Sequence, residues 1–181
     1  MTITQEPEKF TLFWNGPFSQ WCPSRFNSAD FFDWPAEFNT AEQYMMAGKA
    51  WVFNDRSAFN QILQAKTPRQ QKAIGRTIVG FDRAIWEPVC MGIVYRGSHY
   101  KFSSNTDLMA HLVLTAGTTI VEASPEDKIW GIGLHETDPR CLSRSTWHGT
   151  NYLGRVLTQL RDDYLLNTVQ VDKPFDQIKI G

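Results

Sequence analysis

Thr40 stands three residues ahead of Gln43 and opens a stretch, Tyr44-Met-Met-Ala-Gly-Lys-Ala-Trp-Val-Phe53, that is too apolar for a solvent-facing helix. Thr and Gln at that separation are the signature of a capping box, in which each side chain satisfies the other's end of the backbone. The spacing therefore predicts a helix over residues 41–54. Two charges, Glu42 and Lys49, break its apolar character. They lie about two turns apart and so share one face. Such a pair is either an ordinary pair of surface charges or a sign that the helix points a charge into a concave site. The apolar neighbours favour the second reading, and Gly48 would let a ligand or another helix come close to Lys49.

Other segments carry weaker but readable signals. Residues 11–14 read as a short strand, stopped by the turn sequence Asn15-Gly16-Pro17. Residues 19–39 are dense in Phe, Trp and Pro without sustained periodicity, which predicts short extended pieces in a well-packed loop. Thr67-Pro68-Arg69-Gln70 is a second helix start, ending near Gly75. A longer helical pattern begins at residues 82–88 and carries Trp86, Val89, Ile93 and Tyr100, weakened by Gly92 and Gly97. Asn105 or Thr106 caps a helix through Leu108, Leu112 and Val113, closed by Gly117. The β-branched run at 118–121 is a strand, and Asn151 caps a last amphipathic helix through Val156, Leu157, Leu160 and Tyr164. The expected architecture is one compact α+β domain, mostly helical with a few short strands, over residues 11–166. Residues 1–10 and 167–181 are read as terminal extensions.

A chain of 181 residues is long enough to bury one core without disulfides or metal. Its formal net charge of -1 provides no global drive toward nucleic acid or an anionic membrane, so any nucleic acid contact is local. No apolar run approaches the roughly 18 to 20 residues that span a bilayer. The polar first ten residues lack the basic and apolar regions of a signal peptide. Three widely separated cysteines, Cys22, Cys90 and Cys141, read as free thiols, and a cytoplasmic location follows as the expectation. Aromatic residues reach 13% of the chain, and several sit beside Asn, Gly and Pro, where they are either core or the walls of a pocket.

A second constellation is Asp127-Lys-Ile-Trp-Gly-Ile-Gly133. It is either a polar turn leading to a strand packed on Trp130, or a stacking platform for a heterocycle with Gly131 and Gly133 admitting the ligand to the backbone. It is no dinucleotide fingerprint, because the third glycine is missing and no helix signal follows. Gly149-Thr150-Asn151 opens a helix, so its amides are either capped or offered to an anion. Gly75-Arg76 and Lys101 are phosphate-holding or merely solvated. His99, His111, His135 and His148 form no zinc-binding pattern, and no phosphate loop or nucleophile elbow is present, so no metal is expected.

Taken in order, Glu42, Tyr44, Ala47 and Lys49, then Gly75-Arg76, Trp86, Lys101-Phe102, Glu122, Asp127, Trp130-Gly131, Gly133 and finally Asn151, Leu153 and Gly154 resemble the pattern of the NADAR, or YbiA-like, family. The resemblance runs from about Phe13 to Arg161, while the stretch 134–147 is longer than in compact members and is expected to affect substrate choice. It implies an N-glycosidase with catalytic residues Glu42, Lys49 and Asp127. Substrate would be held by Tyr44, Arg76, Trp86, Lys101, Glu122, Trp130, Gly131, Gly133 and Asn151. The implied substrates are ADP-ribosylated guanine in nucleic acid and the ribosylamino pyrimidine phosphates of riboflavin synthesis. No cofactor, membrane or obligate protein partner is implied. A non-catalytic module that senses ADP-ribose or NAD is the alternative.

Both substrate types attach a sugar anomeric carbon to an exocyclic amine. Such a bond allows either a lysine imine formed by Lys49 or direct water attack with Glu42 or Asp127 as base. For the first route Lys49 must be desolvated, and an ionised Glu42 beside it would work against that.

Overall fold

A computed structural model describes residues 7–31 and 35–171 of the chain. In order, its elements are β1 (Phe10–Phe13), β2 (Phe26–Ser28), β3 (Ala36–Phe38), α1 (Ala41–Val52), α2 (Arg56–Gln64), α3 (Pro68–Gly75), α4 (Arg83–Ser103), α5 (Thr106–Val113), β4 (Thr119–Glu122) and α6 (Tyr152–Leu166). Two short 3-10 turns, Pro139–Leu142 and Arg144–Thr146, precede α6. The mostly helical α+β class read from the sequence is the class observed. Of the two terminal extensions, residues 1–6 and 172–181 lie outside the described residues.

The apolar helix α1 is the hub, packed against α2, α3 and α4. Thr40 Oγ1 accepts from the Gln43 amide at 3.1 Å, as the sequence predicts. Gln43 reaches back one residue further than a capping box requires, accepting from the Asn39 amide at 2.8 Å. Its side-chain nitrogen also donates to the Ile62 and Leu63 carbonyls, at 2.9 and 3.1 Å, so one residue starts α1 and ties down the end of α2. At Gly48 it is α4 that comes close rather than a ligand, since a Cβ there would lie 2.7 Å from Cγ2 of Ile93. The full capping box at Thr67 and Gln70 starts α3 as predicted.

Helix α2 has no counterpart in the sequence reading. Its signal is Asp55, whose side chain accepts from the Ala58 amide at 2.9 Å, followed by Ala58, Phe59 and Ile62 on the buried face. The long helix α4 passes through both glycines that weaken its pattern, because its buried face packs on α1 and α6. Tertiary packing there outweighs local propensity.

Strands β1 and β4 pair in parallel, with Phe10 opposite Thr119 and Phe13 opposite Glu122. A parallel pair needs a long crossover, and α1 to α5 supply it. Strands β2 and β3 form a separate antiparallel pair. Many of the described aromatic residues are core: Phe13, Phe26, Phe31, Phe38, Tyr44, Phe59 and Phe102 all belong to one buried cluster. A smaller cluster of Val121, Ala123, Ile132, Leu134 and Cys141 packs with Phe10, Leu12 and Trp147. No helix among the described residues is long and apolar enough to cross a membrane.

Candidate active site

Residues 42, 45, 46 and 49 follow the one-face spacing of a helix, and that face of α1 forms the floor of a cavity of about 310 Å³. The walls are Ser19, Gln20 and Trp21 from the loop before β2, Lys72, Gly75 and Arg76 from the end of α3, and Trp86 from the start of α4. Glu122 from the end of β4, then Asp127, Ile129, Trp130 and Leu153, complete the ring. Seven residues that the family resemblance assigns to catalysis or substrate thus meet in one place: Glu42, Lys49, Arg76, Trp86, Glu122, Asp127 and Trp130.

Three carboxyl groups face this space in different electrostatic conditions. Glu42 is only 5% exposed, and burial pushes its pKa up to about 7, with Lys72 and a hydrogen bond from the Trp21 side chain opposing and the Asp127 charge adding to the rise. Glu122 is pushed up to about 8 by burial and then by Asp127. Its Oε2 is buried without a hydrogen-bond partner among the described residues. Asp127 is anchored instead: its Oδ1 accepts from the amides of Ile129 and Trp130 at 2.9 and 2.8 Å. Those bonds close a tight turn that aims the carboxyl group and sets Trp130 in the wall. Two acids that hold their protons near neutral pH therefore share a cavity with one held by backbone amides.

Lys49 is half-buried, with Nζ donating to the Gly75 carbonyl at 2.7 Å and lying 4.1 Å from the centre of the Phe81 ring. Burial lowers its pKa. The tension between a depressed Lys49 and a charged Glu42 eases here, since burial holds Glu42 toward its neutral form. Lys72, with Nζ 5.8 Å from the centre of the Trp21 ring, and Arg76, at the C-terminal end of α3, bring further positive charge to the rim.

Five residues that the family resemblance assigns to substrate stand outside the cavity wall. Tyr44 is fully buried in the aromatic core and donates to the Asp30 carboxylate. Lys101 is also buried, and its Nζ donates to the Ser19 carbonyl at 2.8 Å, so it holds the wall rather than a phosphate. Gly131 serves the chain's own backbone rather than a ligand: a Cβ there would sit 2.9 Å from both the Asp127 and Glu122 carbonyl oxygens. Gly133, at a φ of +69, packs under His148 and Lys128. Asn151 makes no capping bond to α6. It adopts left-handed backbone, accepts from the Glu122 amide at 3.0 Å and donates to the Ile120 carbonyl at 3.0 Å.

The amides that open α6 are not free for an anion either. Thr150, Asn151, Tyr152 and Leu153 donate to the carbonyls of Lys128, Gly131, Ile129 and Trp130. Gln20, Trp21 and Lys72 escaped the sequence reading. Lys72 lies one turn before Arg76 on α3, a spacing that could have found it, but Gln20 and Trp21 sit in an aperiodic loop that carries no such signal. No residue of the 134–147 stretch lines the cavity. Among the described residues, no group of three or more His, Cys, Asp or Glu side chains is arranged to hold a metal ion.

The pocket brings together one half-buried amine, two acids whose pKa burial raises and three indole walls, the kinds of group that small-molecule enzyme sites use. The chain belongs to the NADAR domain family, a family of N-glycosidases, which it matches over residues 11–165. It is 43% identical over 150 residues to N-glycosidase R617 of Acanthamoeba polyphaga mimivirus, covering 81% of this chain and 86% of that protein. It is 36% identical over 162 residues to the maize (Zea mays) riboflavin biosynthesis protein PYRR, covering 83% of this chain but only 23% of that longer one. The fold is shared with the NMR structure of the Escherichia coli protein YbiA, at a TM-score of 0.70 and 23% identity over 93% of this chain and 92% of that one.

Proposed function

We propose that this chain hydrolyses the bond between the anomeric carbon of a ribosyl or ADP-ribosyl group and an exocyclic amine of a heterocycle. The observation that carries this reading is the meeting of Lys49 with Glu42, Glu122 and Asp127 in one cavity walled by Trp21, Trp86 and Trp130. Indole faces suit a flat heterocycle, and carboxyl groups suit the hydroxyls of a sugar. The cavity volume is at the lower end of the range of small-ligand sites, which suits one riboside at a time. The candidate substrates are ribosylamino pyrimidine phosphates and ADP-ribosylated guanine, the latter entering as a single extruded base. The name of the maize relative supports the first of these.

In the favoured route the sugar ring opens to an imine at its anomeric carbon. The uncharged amine of Lys49 adds to that carbon, and the bond to the heterocycle breaks as its nitrogen takes a proton from Glu42 or Glu122, both of which burial keeps protonated to near neutral pH. Water then adds to the lysine imine, a carboxylate takes up the proton, and collapse returns Lys49 and a free sugar aldehyde. Direct attack by water is the second reading. It is supported by Asp127, whose two backbone hydrogen bonds suit a fixed carboxylate base.

Incubation with a ribosylamino pyrimidine phosphate and, separately, with an ADP-ribosylated guanine oligonucleotide, followed by mass spectrometry of released sugar, tests the proposal. Release from one of the two is expected. Tight binding with no release from either would make the chain a nucleotide-sugar sensor instead.

A further inference from the structure

Gln20 is only 8% exposed, yet its side-chain nitrogen has no hydrogen-bond partner among the described residues. A buried donor without a partner weakens a fold, so its retention calls for a compensating use. Gln20 lines the cavity. Its backbone is gripped from both sides, by Lys101 Nζ on the Ser19 carbonyl at 2.8 Å and by the Glu42 amide on the Gln20 carbonyl at 3.0 Å. The carboxamide therefore rides on a fixed piece of chain. The Glu122 Oε2 atom, buried and equally without a partner among the described residues, lines the same cavity. An amide nitrogen can only donate, whereas a carboxyl group accepts or donates according to its protonation.

We propose that Gln20 determines sugar specificity, its side-chain nitrogen donating a hydrogen bond to one hydroxyl oxygen of the bound pentose while Glu122 takes the neighbouring hydroxyl. This rests on the reading of the ligand as a ribosyl group. A ribosyl ring offers two adjacent hydroxyls, each able to donate and accept, and so satisfies both buried atoms together. A site built to bond a hydroxyl rejects the analogue that lacks it, because the protein group is then left unpaired. Met45, Met46 and Leu153, elsewhere on the wall, have no such means of discrimination.

The test compares binding of ribose 5-phosphate with that of its 2-deoxy and 3-deoxy counterparts by calorimetry, in the wild type and in Gln20→Met. The wild type is expected to favour ribose 5-phosphate over at least one deoxy sugar by about tenfold or more. In Gln20→Met that preference should disappear while the melting temperature stays level or rises, since the variant removes a donor that the fold leaves unpaired. A structural glutamine would give the opposite result, a lower melting temperature, or no folded protein, with any preference intact. That result, or a wild type without preference, overturns the assignment. Binding is read independently of turnover, so a preserved preference without cleavage would overturn only the hydrolase reading. Cleavage with an unchanged preference in Gln20→Met would overturn only the role of Gln20.

Discussion

Nζ of Lys101 donates a 2.8 Å hydrogen bond to the carbonyl oxygen of Ser19, 82 positions earlier in the chain, and so clamps the loop that carries Gln20 and Trp21 into the cavity. Burial pushes the Lys101 ammonium down to about 8 from 10.5. The folded chain therefore binds fewer protons than the unfolded chain from about pH 8 up to about 10, and stability should rise with pH across that window. Lys101→Met should reduce the rise, seen as a melting temperature that gains less between pH 8 and 9.5 in the variant than in the wild type. Loss of the clamp should also raise KM several-fold with little change in kcat.

The two raised carboxyl groups act in the opposite direction. The folded-state values of Glu42 and Glu122, about 7 and about 8, lie above the ordinary 4.5. Their contribution to stability is complete below about pH 4.5 and is lost as pH rises through 7 to 8. Glu42→Gln and Glu122→Gln, which mimic the protonated acids, should each lose less stability than the wild type between pH 5 and 8, by about 1–3 kcal/mol in denaturant titrations. Turnover should show an alkaline limb in the same region, with apparent values that belong to the pair.

Lys49→Arg should abolish cleavage although it keeps the positive charge, because a guanidinium stays protonated and cannot add to the anomeric carbon. Borohydride added during turnover should leave a sugar adduct on Lys49, located by peptide mass spectrometry. Full activity in Lys49→Arg would leave direct hydrolysis as the mechanism.

Tyr44 and Trp130 should separate the core from the site. Tyr44→Phe removes the hydrogen bond to Asp30 inside the core and should cost about 1–2 kcal/mol of stability with kcat unchanged. Trp130→Ala should weaken ligand binding by about 1–3 kcal/mol, the range for a stacked base. If Trp130→Ala only lowers the melting temperature, its indole is packing and not a platform.

Treatment with EDTA should leave cleavage unchanged, since the proposed proton transfers and the imine need only side chains. Loss of activity that a divalent ion restores would point to Glu42, Glu122 and Asp127 as shared ligands.

The starts of α1 and α3 were legible because a cap is local chemistry, with Thr40 and Thr67 each bonding the amide three residues on. The start of α2 rests on Asp55 alone, a single cap in a stretch without a second signal, and so passed unread. The carboxyl groups and Lys49 were legible as residues that the family pattern keeps in order. What Lys101, Asn151 and Tyr44 do was not, because each acts through a partner distant in sequence: Ser19, Glu122 with Ile120, and Asp30. The Gln20–Trp21 wall depends wholly on such partners.

The stretch 134–147 leaves and rejoins the molecule at a narrow neck, where the His148 amide donates to the Ile132 carbonyl at 2.9 Å. Below the neck, carbonyls of residues 128–131 take the amides that begin α6, so the Asp127 turn is buttoned to the body. The excursion packs Leu134, Cys141 and Trp147 against Val121, Ala123 and Ile132 and against Phe10 and Leu12 of β1, and sends no residue into the cavity. The stretch thus covers the side of the β1–β4 pair away from the cavity, held there also by the Arg144–Glu8 ion pair at 2.6 Å. Its exposed tip, with Leu142 at 65% exposure, is where a dye, an affinity tag or a grafted peptide can be carried without disturbing the floor on which Glu42 and Lys49 stand.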